Sequence, residues 1–167
     1  MMQQFPQDSH RNQPEKQVAH NRAFHFSETA EVLTPLVEEL FAHGLTGELD
    51  ERLRPLIQAL DVAKDEALSA LRSTYDSIPH AEPVGRMDAV FALAHLGKFT
   101  GTLIAILDQI DSDECVYPMG SRRIILKHFR KEDSKKYLLF GLRGDLERMK
   151  RLDEYIADVE AKSSNGS

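Results

Sequence analysis

The sequence predicts an all-α protein, a bundle of four or five helices around a central apolar helix, preceded by a disordered N-terminal tail. Between Asp88 and Leu107 apolar side chains run almost unbroken, and only His95 and Lys98 can carry charge, which is typical of a helix surrounded by other helices. Strictly alternating runs of Val, Ile, Thr and aromatic residues, typical of strands, are hard to find. A length of 167 residues with 41% hydrophobic residues suits one domain with a real core.

The N-terminal part of the chain predicts a tail followed by a first helix. Residues 1–25 are rich in Gln, Asn, His and charge, so they bury too little apolar surface to offset chain entropy and are predicted to be disordered. The domain is predicted to span 26–162, and 163–167 a second disordered tail. We expect Ser27 to cap the first helix, Pro35 to bend or restart it and Gly44 to stop it. Its apolar positions are Leu33, Leu36, Val37, Leu40 and Phe41.

The second and third helices are predicted from their different apolar patterns. Residues 47–77 form a long amphipathic helix with an expected kink at Pro55. Its apolar face is Leu49, Leu53, Leu56, Leu60, Ala63, Ala67, Leu71 and Tyr75. A loop at 78–83 then precedes the apolar helix, expected from about Gly85 to Ile110. The GxxxG spacing of Gly97 and Gly101 is expected to let a neighbouring helix cross tightly.

The apolar helix is also nearly long enough to cross a membrane. Its 19 residues from Ala89 to Leu107 approach the ~20 needed to span a bilayer. Lys98 and His95 lie close to its middle, however, and a lysine at the bilayer centre costs roughly 3 kcal/mol on insertion scales. A buried core helix is therefore favoured, and membrane insertion of residues 89–107 is the alternative.

The C-terminal part predicts a short helix and a long one. The short helix, from about Ser121 to Arg130, is expected to be capped by Ser121 or Gly120. Its apolar side is predicted as Ile124, Ile125, Leu126 and Phe129, with basic residues opposite. The long helix is predicted from just after Glu132-Asp133-Ser134 to about Ala161. Its heptad-like positions, suited to an intramolecular core or to a dimer seam, are Leu138, Leu142, Leu146, Met149, Leu152, Ile156 and Val159.

The side chains that usually carry chemistry do not form a recognisable motif. Cys115 is the single cysteine, which excludes an internal disulfide and a CxxC pair. The seven histidines form no i, i+4 pair, and adjacent carboxylates such as Glu38 and Glu39 point about 100° apart on a helix. No nucleophile elbow, phosphate loop or dinucleotide fingerprint occurs. We therefore predict a protein that is not an enzyme, with no catalytic, metal or cofactor site, and we interpret His95 as a core histidine.

Charge is unevenly distributed along the chain. Residues 1–119 hold 9 Lys/Arg against 19 Asp/Glu, whereas residues 120–167 hold 12 against 8. The candidate binding residues for a protein partner or anionic lipid are the basic cluster: Arg122, Arg123, Lys127, Arg130, Lys131, Lys135 and Lys136. The alternative is that these cations neutralise the acidic first half of the chain or stay solvated. No signal peptide or lipidation signal is recognisable, so a cytoplasmic location is expected and a nuclear one stays open.

One stretch of the C-terminal part reads Arg123-Ile124-Ile125-Leu126-Lys127-His128-Phe129-Arg130-Lys131-Glu132-Asp133-Ser134-Lys135-Lys136-Tyr137-Leu138-Leu139 and leads into Leu142 and Leu146. It resembles a helical signature of fungal HeLo and HeLo-like domains, including N-terminal domains of fungal NLR-type receptors. In these a short helix ending in an aromatic residue precedes a long amphipathic one, and the mixed-lineage-kinase-like necroptosis effectors carry a comparable bundle. The resemblance implies a bundle that oligomerises in incompatibility or cell-death signalling and acts at membranes. Members that permeabilise membranes begin with an apolar helix, whereas this chain begins with a polar tail, which favours an interaction module.

The sequence leaves three candidate functions for this bundle. The leading hypothesis is a helical bundle that acts by protein-protein contact in signalling or regulation, with apolar contacts carrying much of the affinity. The alternative is a bundle that docks on anionic lipid through the basic amphipathic helix, with binding that weakens as salt rises. Nucleic-acid binding is disfavoured by the overall net charge of -6. Homo-oligomerisation stays open.

Overall fold

The computed structural model describes residues 24–77, 83–116 and 120–166, and it confirms an all-α bundle of five helices. The helices are α1 (Phe26–His43), α2 (Gly47–Ser77), α3 (Pro83–Leu107), α4 (Arg122–Phe129) and α5 (Glu132–Gly166). Two short strands, β1 (Cys115–Val116) and β2 (Gly120–Ser121), pair antiparallel just before α4. Buried side chains of all five helices form one continuous core.

The apolar helix α3 and the last helix α5 hold the bundle together. The apolar helix α3 packs against α2, α4, α5 and β1, while α5 packs against each of the other four helices. All seven apolar positions predicted on α5 contribute to the core: Leu138, Leu142, Leu146, Met149, Leu152 and Val159 are buried, and Ile156 is half-buried. The heptad-like rhythm of α5 therefore serves the intramolecular core.

Helix α1 begins differently from the prediction. We expected Ser27 to cap it, but the helix starts at Phe26 and its N-cap residue, His25, makes no side-chain capping bond. The carboxylate of Asp153 on α5 accepts hydrogen bonds from the backbone N–H groups of Phe26 (3.1 Å) and Ser27 (3.0 Å) instead. A carboxylate from another helix thus satisfies free N–H groups at the N-terminus and complements the helix dipole.

The rest of α1 and all of α2 follow the apolar pattern closely. The five predicted apolar positions of α1 are all buried, and Gly44 ends the helix with φ of +84°. α1 continues without a break through Pro35, and α2 through Pro55. The α2 bounds agree with the prediction. Ile57, absent from the predicted face, is fully buried, whereas Leu56 is half-buried.

Helix α3 is tightly packed at Gly101 and makes an ordinary contact at Gly97, with a different neighbour at each. A Cβ atom added to Gly101 would lie 2.9 Å from Cγ1 of Val116 in β1. At Gly97 it would lie 3.6 Å from Cδ of Lys64 on α2. The tight crossing of a neighbouring helix that was predicted does not occur at Gly101, because the side chain packed there is that of Val116 in β1. α3 ends at Leu107, three residues before the predicted Ile110.

Helix α4 confirms the predicted cap and corrects the predicted apolar side. The hydroxyl of Ser121 accepts a hydrogen bond from the backbone N–H of Ile124 at 3.2 Å. Ile125 and Leu126 are buried, but the side chain of Ile124 is 44% exposed. At 100° per residue, Ile125, Leu126 and Phe129 fall within an arc of about 100° that faces the core, and Ile124 lies outside that arc.

Several predicted segments fall wholly or partly outside the described residues. These include most of the tail 1–25, the loop at 78–83 except Pro83, and the side chain of Tyr75. Within the described part of that tail, Phe24 packs edge-on against Phe26, with ring centroids 4.9 Å apart. Helix α5 extends to Gly166, beyond the predicted end near Ala161.

Candidate functional site

The first two arginines of the basic cluster bind the acidic loop that follows α3. Arg123 Nε lies 2.8 Å from Asp111 Oδ1 and its Nη1 lies 3.2 Å from Asp113 Oδ1. Arg122 Nε lies 3.5 Å from Glu114 Oε1. The hydrogen bond and the two carboxylates raise the pKa of Arg123. These two arginines therefore form ion pairs with carboxylates of residues 1–119, the acidic part of the chain.

The other five cations of the basic cluster divide into two groups. Arg130 donates a hydrogen bond to Gln109 Oε1 at 2.7 Å, and Lys135 Nζ lies 3.5 Å from Glu132 and 5.2 Å from the Phe129 ring centroid. Among the described residues, Lys127, Lys131 and Lys136 have no carboxylate within salt-bridge distance. Arg130 contacts only a neutral amide, so these three lysines and Arg130 carry the positive charge available to a partner.

Two exposed aromatic side chains lie on the same helix as Lys136, and the sequence did not single out either as a binding residue. Tyr137 is 70% exposed and Phe140 is 77% exposed, and they lie one turn apart on the outer face of α5. Lys136 Nζ lies 5.3 Å from the Tyr137 ring centroid. We call Tyr137 and Phe140 the aromatic pair. A signal was present in the sequence, because both residues fall outside the heptad-like core positions of α5.

A groove lies farther along the same helix, between α3 and α5. It has a volume of about 330 Å³ and is lined by Asp88, Phe91, Ala92, Glu147, Arg148, Arg151 and Tyr155. We call it the α3–α5 groove. The Arg148 guanidinium carbon lies 5.9 Å from the Phe91 ring centroid, and Phe91 is 57% exposed. The groove therefore offers both an apolar wall and cationic groups.

A buried polar cluster joins α3 to α5 beside this groove. Asp145 is 2% exposed, and its Oδ2 lies 2.8 Å from Lys98 Nζ. Its Oδ1 lies 3.4 Å from His95 Nδ1 and 3.5 Å from Arg148 Nη1. Lys98 reaches Asp145 across Gly141, where an added Cβ would lie 3.6 Å from Nζ. The only two charge-bearing side chains inside the apolar stretch thus share one carboxylate.

Burial sets the protonation behaviour of this cluster. Desolvation raises the pKa of Asp145, although Lys98 opposes the shift. Desolvation, followed by the positive charge of Arg148, lowers the pKa of His95, while Asp145 acts in the opposite direction. The low pKa favours a neutral imidazole packed against the Phe91 ring, with ring centroids 4.4 Å apart.

Metal binding and membrane crossing are two further possibilities for the described residues. No group of three or more His, Cys, Asp or Glu side chains there is placed to hold a metal ion. One helical segment, Asp88–Leu107, is long and apolar enough to cross a membrane, and 61% of it is buried in the bundle. Lys98 and His95 within it lie beside Asp145 of α5, so it serves as a core helix in this structure.

Comparison of the chain with protein-family models, with curated proteins and with solved structures found no match in any of the three.

Proposed function

We propose that this protein is a non-enzymatic, cytoplasmic helical-bundle module that acts by protein-protein contact in signalling or regulation, with the outer face of α5 as its binding surface. The observation that carries the proposal is the aromatic pair, exposed by 70% and 77%. Aromatic side chains are enriched among residues that dominate binding energy. Lys136, whose Nζ lies 5.3 Å from the Tyr137 ring centroid, adds charge that favours an acidic rim on the partner.

The setting that we propose is incompatibility or cell-death signalling, and it rests on the resemblance of residues 123–139 to HeLo-like domains. The aromatic pair overlaps that stretch at Tyr137. The proposed binding surface therefore lies partly within the segment that carries the resemblance.

The alternative, docking on anionic lipid through α4, is less well supported by the contacts. Ile125 and Leu126 are buried in the core, so α4 presents only Ile124 and part of Phe129 as apolar contact. The carboxylates of Asp111 and Asp113 lie directly beside Arg123. An anionic surface would approach these carboxylates together with the basic residues, which reduces the attraction.

The test is co-purification from cells that naturally make the protein. Wild type is compared with Tyr137→Ala/Phe140→Ala and with Val62→Ala, a control at a 58% exposed apolar residue of α2. We expect a stoichiometric partner to be lost from the double variant alone. With that partner purified, calorimetry should show affinity weakened at least about 30-fold, as for loss of an interface hot spot. Equal retention by all three proteins would contradict the proposal.

Flotation with neutral and anionic vesicles tests the lipid alternative. The variant Lys127→Glu/Lys131→Glu/Lys136→Glu changes only the three lysines that have no carboxylate partner among the described residues, so the contacts of Arg122 and Arg123 remain. We expect neither protein to float with either vesicle at physiological salt. Binding of wild type to anionic vesicles, lost in the variant, would replace protein contact with membrane docking.

A further inference from the structure

We infer that the partner of this surface is a second copy of the chain, packed about a two-fold axis near Gly144 so that Phe140 of each copy enters the α3–α5 groove of the other. The inference rests on the proposed function, because it names the partner for the same face of α5. Phe140 protrudes with 77% of its surface exposed, and the groove has a volume of about 330 Å³. The protrusion lies on α5, and α5 also forms one wall of the groove.

Helix geometry places the two features on one face. At 100° per residue, Phe140, Gly144, Glu147 and Arg151 fall within an arc of about 60° on α5, and Phe140 lies about 16 Å along the axis from Arg151. A protrusion and a groove side by side on one face become mutually complementary under a two-fold rotation. Such an isologous contact closes at two copies and leaves no free end.

The register follows from the position of Gly144. In an antiparallel α5 pair centred there, Phe140 lies opposite Arg148 of the second copy and close to its Arg151. A ring and a guanidinium attract each other in this arrangement, and Arg148 already lies over the Phe91 ring. Gly144 has no side chain, so the two helix backbones can approach closely at the axis.

Charge complementarity supports the same register. The antiparallel contacts Lys98–Asp145 and Phe91–Arg148 place Asp88 farther toward the C-terminal end of α5 than Phe91. Lys136 precedes Phe140 by one turn and therefore points toward the Asp88 end of the groove in the second copy. Neither Lys136 nor Asp88 has an ion-pair partner among the described residues.

Sedimentation velocity of the full chain over a range of concentrations is the first test. We expect a dimer for wild type and for Val62→Ala. In Phe140→Ala we expect the dissociation constant to rise at least about 30-fold. Because Phe140 is mostly exposed, its loss should leave helicity unchanged by circular dichroism. A dimer that Phe140→Ala does not weaken would overturn the inference.

Disulfide trapping tests the position of the axis. In a Cys115→Ser background, Gly144→Cys is compared with Ala59→Cys, an exposed control on α2. Oxidised glutathione accepts the two electrons as two thiols join. We expect covalent dimers from Gly144→Cys far faster than from Ala59→Cys, because position 144 lies at the proposed axis. The new side chain has room, since an added Cβ at 144 meets only Arg148 Nη1, at 3.4 Å. Equal rates would overturn the inference.

The outcomes separate this inference from the proposed function. If wild type is monomeric at every concentration but loses a different protein partner on Tyr137→Ala/Phe140→Ala, the second copy is wrong and the binding surface is right. If wild type is monomeric and the double variant keeps every partner, both are wrong.

Discussion

Asp145 is the residue on which the α3–α5 contact depends most. Its carboxylate is buried and lies within 3.5 Å of cationic or titratable groups on Lys98, His95 and Arg148. Breaking a buried pair by removing one partner is strongly destabilising, because the remaining charge stays buried without compensation. Lys98 can therefore occupy the middle of an apolar helix without a membrane or a ligand.

Stability should fall in mild acid because of His95. Its folded-state pKa lies below the ordinary 6.5, so the unfolded chain takes up a proton before the folded chain does. The stability associated with the neutral imidazole is complete above about pH 6.5 and is lost as the pH falls from there to the folded-state pKa. Urea midpoints measured from pH 7.5 to 5 should drop more for wild type than for His95→Gln.

His43→Gln is the matched control, since His43 is exposed near the end of α1. His95→Gln should flatten the pH profile more than His43→Gln does. Identical profiles for wild type and His95→Gln would show that His95 does not titrate differently in the folded and unfolded chains.

At the scale of whole elements, the start of α1 depends on α5. Two backbone N–H groups of α1 donate to one carboxylate 127 and 126 residues away in sequence. The contact ties the first helix to the last and supplies the cap that the side chain of Ser27 was predicted to provide.

Replacing Asp153 should therefore cost more than replacing Ser27. We expect Asp153→Ala to lower the free energy of unfolding by about 1 kcal/mol, the usual magnitude for loss of an N-terminal cap. Ser27→Ala should change it by less than about 0.5 kcal/mol, as for a surface substitution. Chemical denaturation of both variants checks the order. A larger effect at Ser27 would mean that the predicted local cap forms in solution.

The whole molecule is organised around α5, which contacts the four other helices and contributes to a continuous core. No helix pair is therefore isolated from the rest. We expect a single cooperative thermal transition, with equal calorimetric and van't Hoff enthalpies. Leu142→Ala, at a 1% exposed position, should lower the free energy of unfolding by about 2–5 kcal/mol without splitting the transition. Two separate transitions would contradict a single folding unit.

Most of the fold was predictable from local pattern. A helix repeats every 3.6 residues, so the spacing of leucines predicted the core positions of α1 and α5 and the bounds of α2. Ser121 was identified as a cap because capping acts over three residues. The basic cluster was also visible, but its ion pairs with Asp111, Asp113 and Glu114 were not.

The sequence by itself determined the approximate extent of each helix and the buried stripes of α1 and α5, because helix formation and amphipathicity depend on residues within a few turns. Only the tertiary structure decided the start of α1, the pairing of Lys98 and His95 with Asp145, the neighbour of Gly101 and the exposure of the aromatic pair. Each of these depends on which helices meet and in what register. Contacts between residues far apart in the chain set that register, and a local pattern does not contain them.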